Sequence, residues 1–117
     1  MFRESIEKIM DNCDGAVAGV VMGFDGIAVD SVSRDSEVDV NTISMEFSFV
    51  LGQVRKAAEL LEVGALQEVA IRSESLTFVI RVLTEEYFIG VALKPNGNFG
   101  KGRFLMRMAV PELMKEL

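Results

Sequence analysis

Asn96 to Arg103 reads NGNFGKGR, three glycines with a lysine and an arginine, set between an apolar strand-like run and a helix-like one. In that setting glycine-rich loops hold phosphates. A Walker-type loop needs four residues between its first glycine and the Gly-Lys pair, then Ser or Thr for magnesium. Here only Asn98 and Phe99 separate Gly97 from Gly100, and Lys101 is followed by Gly102. With four residues between, the position that should hold the first glycine before Gly100 is Pro95. The dinucleotide-binding pattern fails as well, because it belongs to a parallel βαβ unit and only one helix remains after this stretch. The expectation is a loop that turns a corner into the last helix. Its cations, Lys94, Lys101, Arg103 and Arg107, have no acid among them and form a basic patch suited to an acidic partner surface.

Other reactive side chains are few. The chain has no histidine, which removes the commonest general base, pH switch and metal ligand together. Cys13 is the one cysteine, so neither an internal disulfide nor a thiolate zinc site can form. Without a histidine to activate it, Cys13 reads as a small buried residue on a helix. Glu85-Glu86 falls in a turn, and Asp35, Glu37 and Asp39 fall in a loop beside Asp30. These carboxylates read as solvated charge, since the loop lacks the register and the bidentate glutamate of a calcium loop. No catalytic residue, cofactor site or metal site is expected.

The whole chain limits the partners further. Its 117 residues suit one domain, 1–117, and half of them are hydrophobic, enough for a core without staples. A net charge of −6 argues against nucleic acid as the main partner. The start, MFRESIEKIMDN, is too charged for a signal peptide, and GAVAGVVMGF is about half a membrane span. A cytoplasmic protein with no membrane partner is expected.

The elements that hold these residues follow from periodicity. Phe2, Ile6, Ile9, Met10 and Cys13 share one helical face, and Asp14-Gly15 ends that helix. Ala16 to Gly23 is apolar on both sides, as in a strand covered on both faces. Asp25-Gly26 predicts a type I′ hairpin, with Ile27 to Val32 returning. Asp39 or Asn41 caps a long helix that runs to about Glu62 and stops at Gly64. Strands follow at Leu66 to Ser73, Leu76 to Thr84 and Tyr87 to Leu93, with gaps short enough to demand antiparallel neighbours. The last helix contains Pro111, expected to kink it or begin a new turn. The order α-β-β-α-β-β-β-α implies an α+β fold, a five-stranded antiparallel sheet with helices on both faces.

The long helix has one apolar face too many. Ile43, Phe47, Val50, Leu51, Val54, Ala57, Ala58 and Leu61 form a stripe that would dock it on the sheet. Met45, Phe49 and Leu60 form a second apolar group about 130° away, at roughly 100° per residue. Either another helix of the same chain covers that group or two copies of the helix pack together, and twofold symmetry makes the homodimer the preferred reading. The alternation of the third strand places Val69 and Ile71 on one face. Ser48, Arg55, Glu59 and Glu62 are the side expected to remain in water, a mixed-charge platform for a partner, with Lys101 and Arg103 as auxiliary contacts.

These stretches resemble the roadblock/dynein light chain superfamily, with its roadblock/profilin-like fold, and its bacterial MglB-like members in particular. The matching segments are GAVAGVVMGFDGIAVDSVS, the long helix ending VRKAAELLE, LQEVAIRSESLTFVIRVLTEEYFIGVAL, and the entry NGNFGKGRFLMRM into the last helix. The resemblance covers essentially the whole chain through pattern, without an invariant motif. It implies a dimer through the long helix and the third strand, hence Met45, Phe49, Leu60, Val69 and Ile71 at the interface. It also implies a small Ras-like GTPase as partner, whose GTP hydrolysis MglB-like proteins stimulate without inserting an arginine finger. The alternatives are a dimeric scaffold that recruits partners without altering GTP turnover, and a small-ligand sensor using the cleft beside the long helix.

Overall fold

The computed structural model describes residues 2–117. Its elements are α1 (Phe2–Asp11), β1 (Ala16–Gly23), β2 (Ala28–Ser33), α2 (Val40–Leu60), β3 (Glu68–Arg72), β4 (Thr77–Val82), β5 (Tyr87–Leu93) and α3 (Phe99–Lys115). They form the predicted order. The five strands make one antiparallel sheet in the spatial order β2-β1-β5-β4-β3. The short connections join neighbours, and only the β1–β5 ladder brings distant parts of the chain together.

Strand alternation divides the core in two. One layer holds Val21, Val79, Ile89, Val91 and Leu93 beneath α1 and α3, which bring Ile6, Ile9, Met10, Met106 and Leu113. The other holds Ala18, Val20, Met22, Phe78, Ile80 and Phe88 beneath α2, with Phe47 stacked on Phe78 at 5.6 Å between ring centres. The apolar runs of β1 and β5 are therefore covered on both faces, as their lack of alternation requires.

Two local expectations are corrected. The β1–β2 turn is not type I′, which needs positive φ at both central residues; Gly26 has φ 86°, while Asp25 lies outside the left-handed region. The Gly26 amide donates to the Gly23 carbonyl and the Gly23 amide to the Ile27 carbonyl, both at 2.9 Å. That is a three-residue connection closed by a left-handed glycine, and the register slips beside it between Val21 and Met22. Pro111 does not divide α3, which continues through it to Lys115. Proline there lacks the amide that would bond the Arg107 carbonyl, and both residues lie on the exposed side where water can replace the bond.

Asp39 is the N-cap of α2. Its carboxylate accepts from the Thr42 hydroxyl at 2.8 Å and from the Thr42 amide at 3.2 Å. These bonds, the hydroxyl's first, hold its pKa below the ordinary 3.8. A depressed carboxylate stabilises the fold above its unfolded pKa, and the contribution disappears as pH falls through the folded value. Asp39→Asn keeps an acceptor at the cap and cannot titrate. In melting curves its deficit against the native chain should therefore shrink as pH drops from neutrality to below 3.8. A deficit constant across that range would show that ionisation of Asp39 is not linked to the helix.

Candidate interaction surface

Helix α2 docks by a face turned toward Ser44 and Ser48 from the one its letters suggest. Val40, Ser44, Ser48 and Leu51 are the buried residues, and Ile43, Phe47, Val54 and Ala58 flank them. Val50, Ala57 and Leu61, placed in the docking stripe from the sequence, are exposed. The reason is size. The serines let the helix approach the sheet and the hairpin, where a Cβ on Gly26 would lie 3.4 Å from Met45 and 3.7 Å from the Ser48 hydroxyl. The Ser48 hydroxyl is satisfied within its own turn by the Met45 carbonyl.

This rotation removes Ser48 from the expected platform, because it faces the core and not water. Arg55 is also not free on that side. Its guanidinium lies 4.0 Å from the centre of the Phe24 ring, and its Nη1 donates to the Glu85 carbonyl at 2.9 Å. Glu59 and Glu62 are exposed as expected. Arg55 and Glu59 line a cleft of about 360 Å³ with Leu66, Arg81, Thr84 and Glu85. Lys101 and Arg103 are exposed but belong to α3, on the opposite face of the sheet, so they do not join Glu59 and Glu62 in one platform.

The second apolar group lies in the open. Phe49 is 68% and Leu60 80% exposed, with Met45, Val50, Leu61 and Val63 exposed around them. No other helix of the described residues covers this face. Val69 and Ile71 are half-buried on the same side of the sheet, paired with Ile80 and Phe78. Their strand, β3, is an edge of the sheet. Among the described residues the apolar helix face and the outer edge of β3 are thus both without a protein partner, and Val69 and Ile71 of that strand face the α2 side of the sheet.

The glycine-rich loop is a corner that joins two chain reversals. Gly15 has φ 89°, and a Cβ there would overlap the Gly97 Cα. The Lys94 amide donates to the Gly15 carbonyl at 2.9 Å and the Asn98 amide to the Asp14 carbonyl at 2.8 Å. Asn98 then caps α3 by accepting from the Lys101 amide at 3.1 Å. Cys13 closes the corner. Its thiol donates to the Asn98 carbonyl at 3.3 Å, and burial, followed by the charge of Asp14, pushes its pKa above the ordinary 9.0. A thiol so held is protonated at neutral pH and unreactive. Among the described residues no group of acidic or sulfur side chains is placed to hold a metal ion, and no helix is long and apolar enough to cross a membrane.

A five-stranded antiparallel sheet in this order, with one long helix on one face and two helices on the other, is a roadblock domain. The chain has the roadblock/LC7 fold and belongs to the family of MglC. It is 42% identical to MglC from Myxococcus xanthus, over 99% of this chain and 98% of that one, with a TM-score of 0.73. It also superposes on MglB, a gliding protein from Thermus thermophilus, at TM-score 0.85 and 15% identity over 97% of this chain and 85% of that one. The Roadblock/LC7 domain from Streptomyces avermitilis gives TM-score 0.85 and 12% identity over 97% and 94%. No family model and no curated protein matches the chain.

Proposed function

We propose that the protein is a homodimeric regulator of a small Ras-like GTPase, acting in motility of the gliding type. The exposed apolar face of α2 beside the unpaired β3 edge carries this reading. Two copies related by a twofold axis would bury Met45, Phe49 and Leu60 against each other and join β3 to β3, near Val69 and Ile71. The protein itself makes and breaks no bond. It would lower the barrier by ordering the GTPase's own switch loops and catalytic groups.

The GTPase is taken to dock at the exposed acidic end of α2, where Glu59 and Glu62 stand beside the Arg55 cleft. A Glu59→Lys, Glu62→Lys double variant should stay a folded dimer, since exposed changes of this kind cost less than about 0.5 kcal/mol. Its stimulation of GTP hydrolysis by the cognate GTPase should fall at least tenfold, roughly 1.4 kcal/mol of transition-state stabilisation. Unchanged stimulation with intact folding would place docking elsewhere.

A second reading, a dimeric scaffold that leaves GTP turnover unchanged, is favoured by one observation. Identity is 42% to MglC but 15% to MglB, so MglB-like stimulation does not transfer by similarity alone. Binding to the GTPase without any change in its turnover would establish the scaffold.

A further inference from the structure

On the α3 face of the sheet a cavity of about 260 Å³ is lined by Glu68, Arg81, Gly100, Arg103, Phe104 and Arg107. Three arginines meet one carboxylate there, in a chain whose net charge is −6. Arg103 is already balanced: its Nε and Nη2 both donate to Glu68 Oε2, at 3.0 and 2.6 Å. Arg81 and Arg107 form no ion pair among the described residues. Arg107 stands 5.7 Å from the centre of the Phe104 ring, and Arg81 Nε is shut off from solvent without a hydrogen-bond acceptor. That N–H lies behind the cavity wall, so what the cavity offers an anion is the outer end of the Arg81 fork together with Arg107.

We propose that this cavity binds the phosphate group of a small soluble molecule. Planar guanidinium forks match paired oxygens of carboxylate or phosphate. The charge decides between them. Two uncompensated arginines balance a group of charge about −1.5 to −2, as a phosphomonoester carries at neutral pH, whereas one carboxylate balances a single arginine. Gly100, in the first turn of α3, presents no side chain and brings the positive helix end to the cavity. Glu68 is the internal competitor, so removing its charge favours the ligand. The site owes nothing to a Walker arrangement and Lys101 does not line it; Arg81 also lines the Arg55 cleft, whereas Arg107 belongs to this cavity and not to that cleft.

The test is calorimetric titration of the full chain with inorganic phosphate, which carries the charge of a phosphomonoester, in magnesium-free, low-salt buffer. Saturable binding at one site per chain is expected. Arg107→Ala and Arg81→Lys should each weaken it at least tenfold, the second by removing the fork while keeping the charge. Glu68→Gln should tighten it, and Lys101→Ala should change it less than threefold. Circular dichroism of each variant checks the fold, and Arg107 is exposed, so its loss leaves the core intact. Three results would overturn the site: no saturable binding, equal weakening by Lys101→Ala, which marks diffuse attraction, or equal affinity for succinate, which marks a carboxylate site.

Discussion

Phe49→Glu should convert the protein from dimer to folded monomer. Phe49 is 68% exposed on a single chain, so within the monomer the change is a surface substitution worth less than about 0.5 kcal/mol. Across the proposed seam it is different. A buried phenylalanine side chain contributes about 1.5–3 kcal/mol, and a carboxylate put in its place, facing its own symmetry mate, costs several kcal/mol more. Sedimentation velocity at micromolar concentration should show the native chain as a dimer and the variant as a monomer, with thermal melting confirming that the variant is folded. A native chain that sediments as a monomer removes the dimer from the proposal. A variant that still dimerises moves the interface off this face of α2.

Gly15→Ala should be among the most destabilising single substitutions in the chain. At φ 89° an alanine pays the left-handed penalty of about 1–2 kcal/mol, and its Cβ would also overlap the Gly97 backbone. Backbone cannot swing aside as a side chain can, so the 13–16 and 94–98 reversals must separate and lose their mutual hydrogen bonds. A loss of more than about 2 kcal/mol in denaturant unfolding is expected. Gly100→Ala, three residues beyond Gly97, is the contrast. Its Cβ would meet nothing within 4 Å, and alanine is favoured over glycine in a helix by up to about 1 kcal/mol. If both glycines tolerate alanine equally, the corner is not held by close backbone packing.

The α1 face, the two-sided strands and the order of elements were legible in the sequence because each rests on a local period that tertiary packing did not override. The rotation of α2 was not. Ser44 and Ser48 are polar letters chosen here for smallness, while Val50 and Leu61 are apolar letters left outside, so hydrophobicity alone found Ile43, Phe47 and Leu51 but turned the face away from the serines. The hairpin type was missed for a related reason: Asp-Gly serves both two- and three-residue turns, and only the φ of Asp25 separates them. The exposed group at Met45, Phe49 and Leu60 was legible as surplus. The arginine cavity was half legible. Arg103 and Arg107 share a visible basic run, but Glu68 and Arg81 reach them only because β3 and β4 pair beneath α3.

The strand order also determines how this chain must find its fold. The β1–β2, β3–β4 and β4–β5 pairs are each closed by a short turn and can form early at small entropic cost. The ladder joining Ala16 to Leu93 and Gly23 to Tyr87 must close a loop spanning most of the chain, and it lies at the centre of the sheet. Gly19 and Gly90 sit in that ladder, where Ile6 and Phe78 close over them. Closing that seam carries the largest loop-closure cost in the sheet, so it is the step expected to limit the rate of folding. Substitutions at Gly19 or Gly90 should slow refolding, while those in the outer hairpins should act chiefly on unfolding.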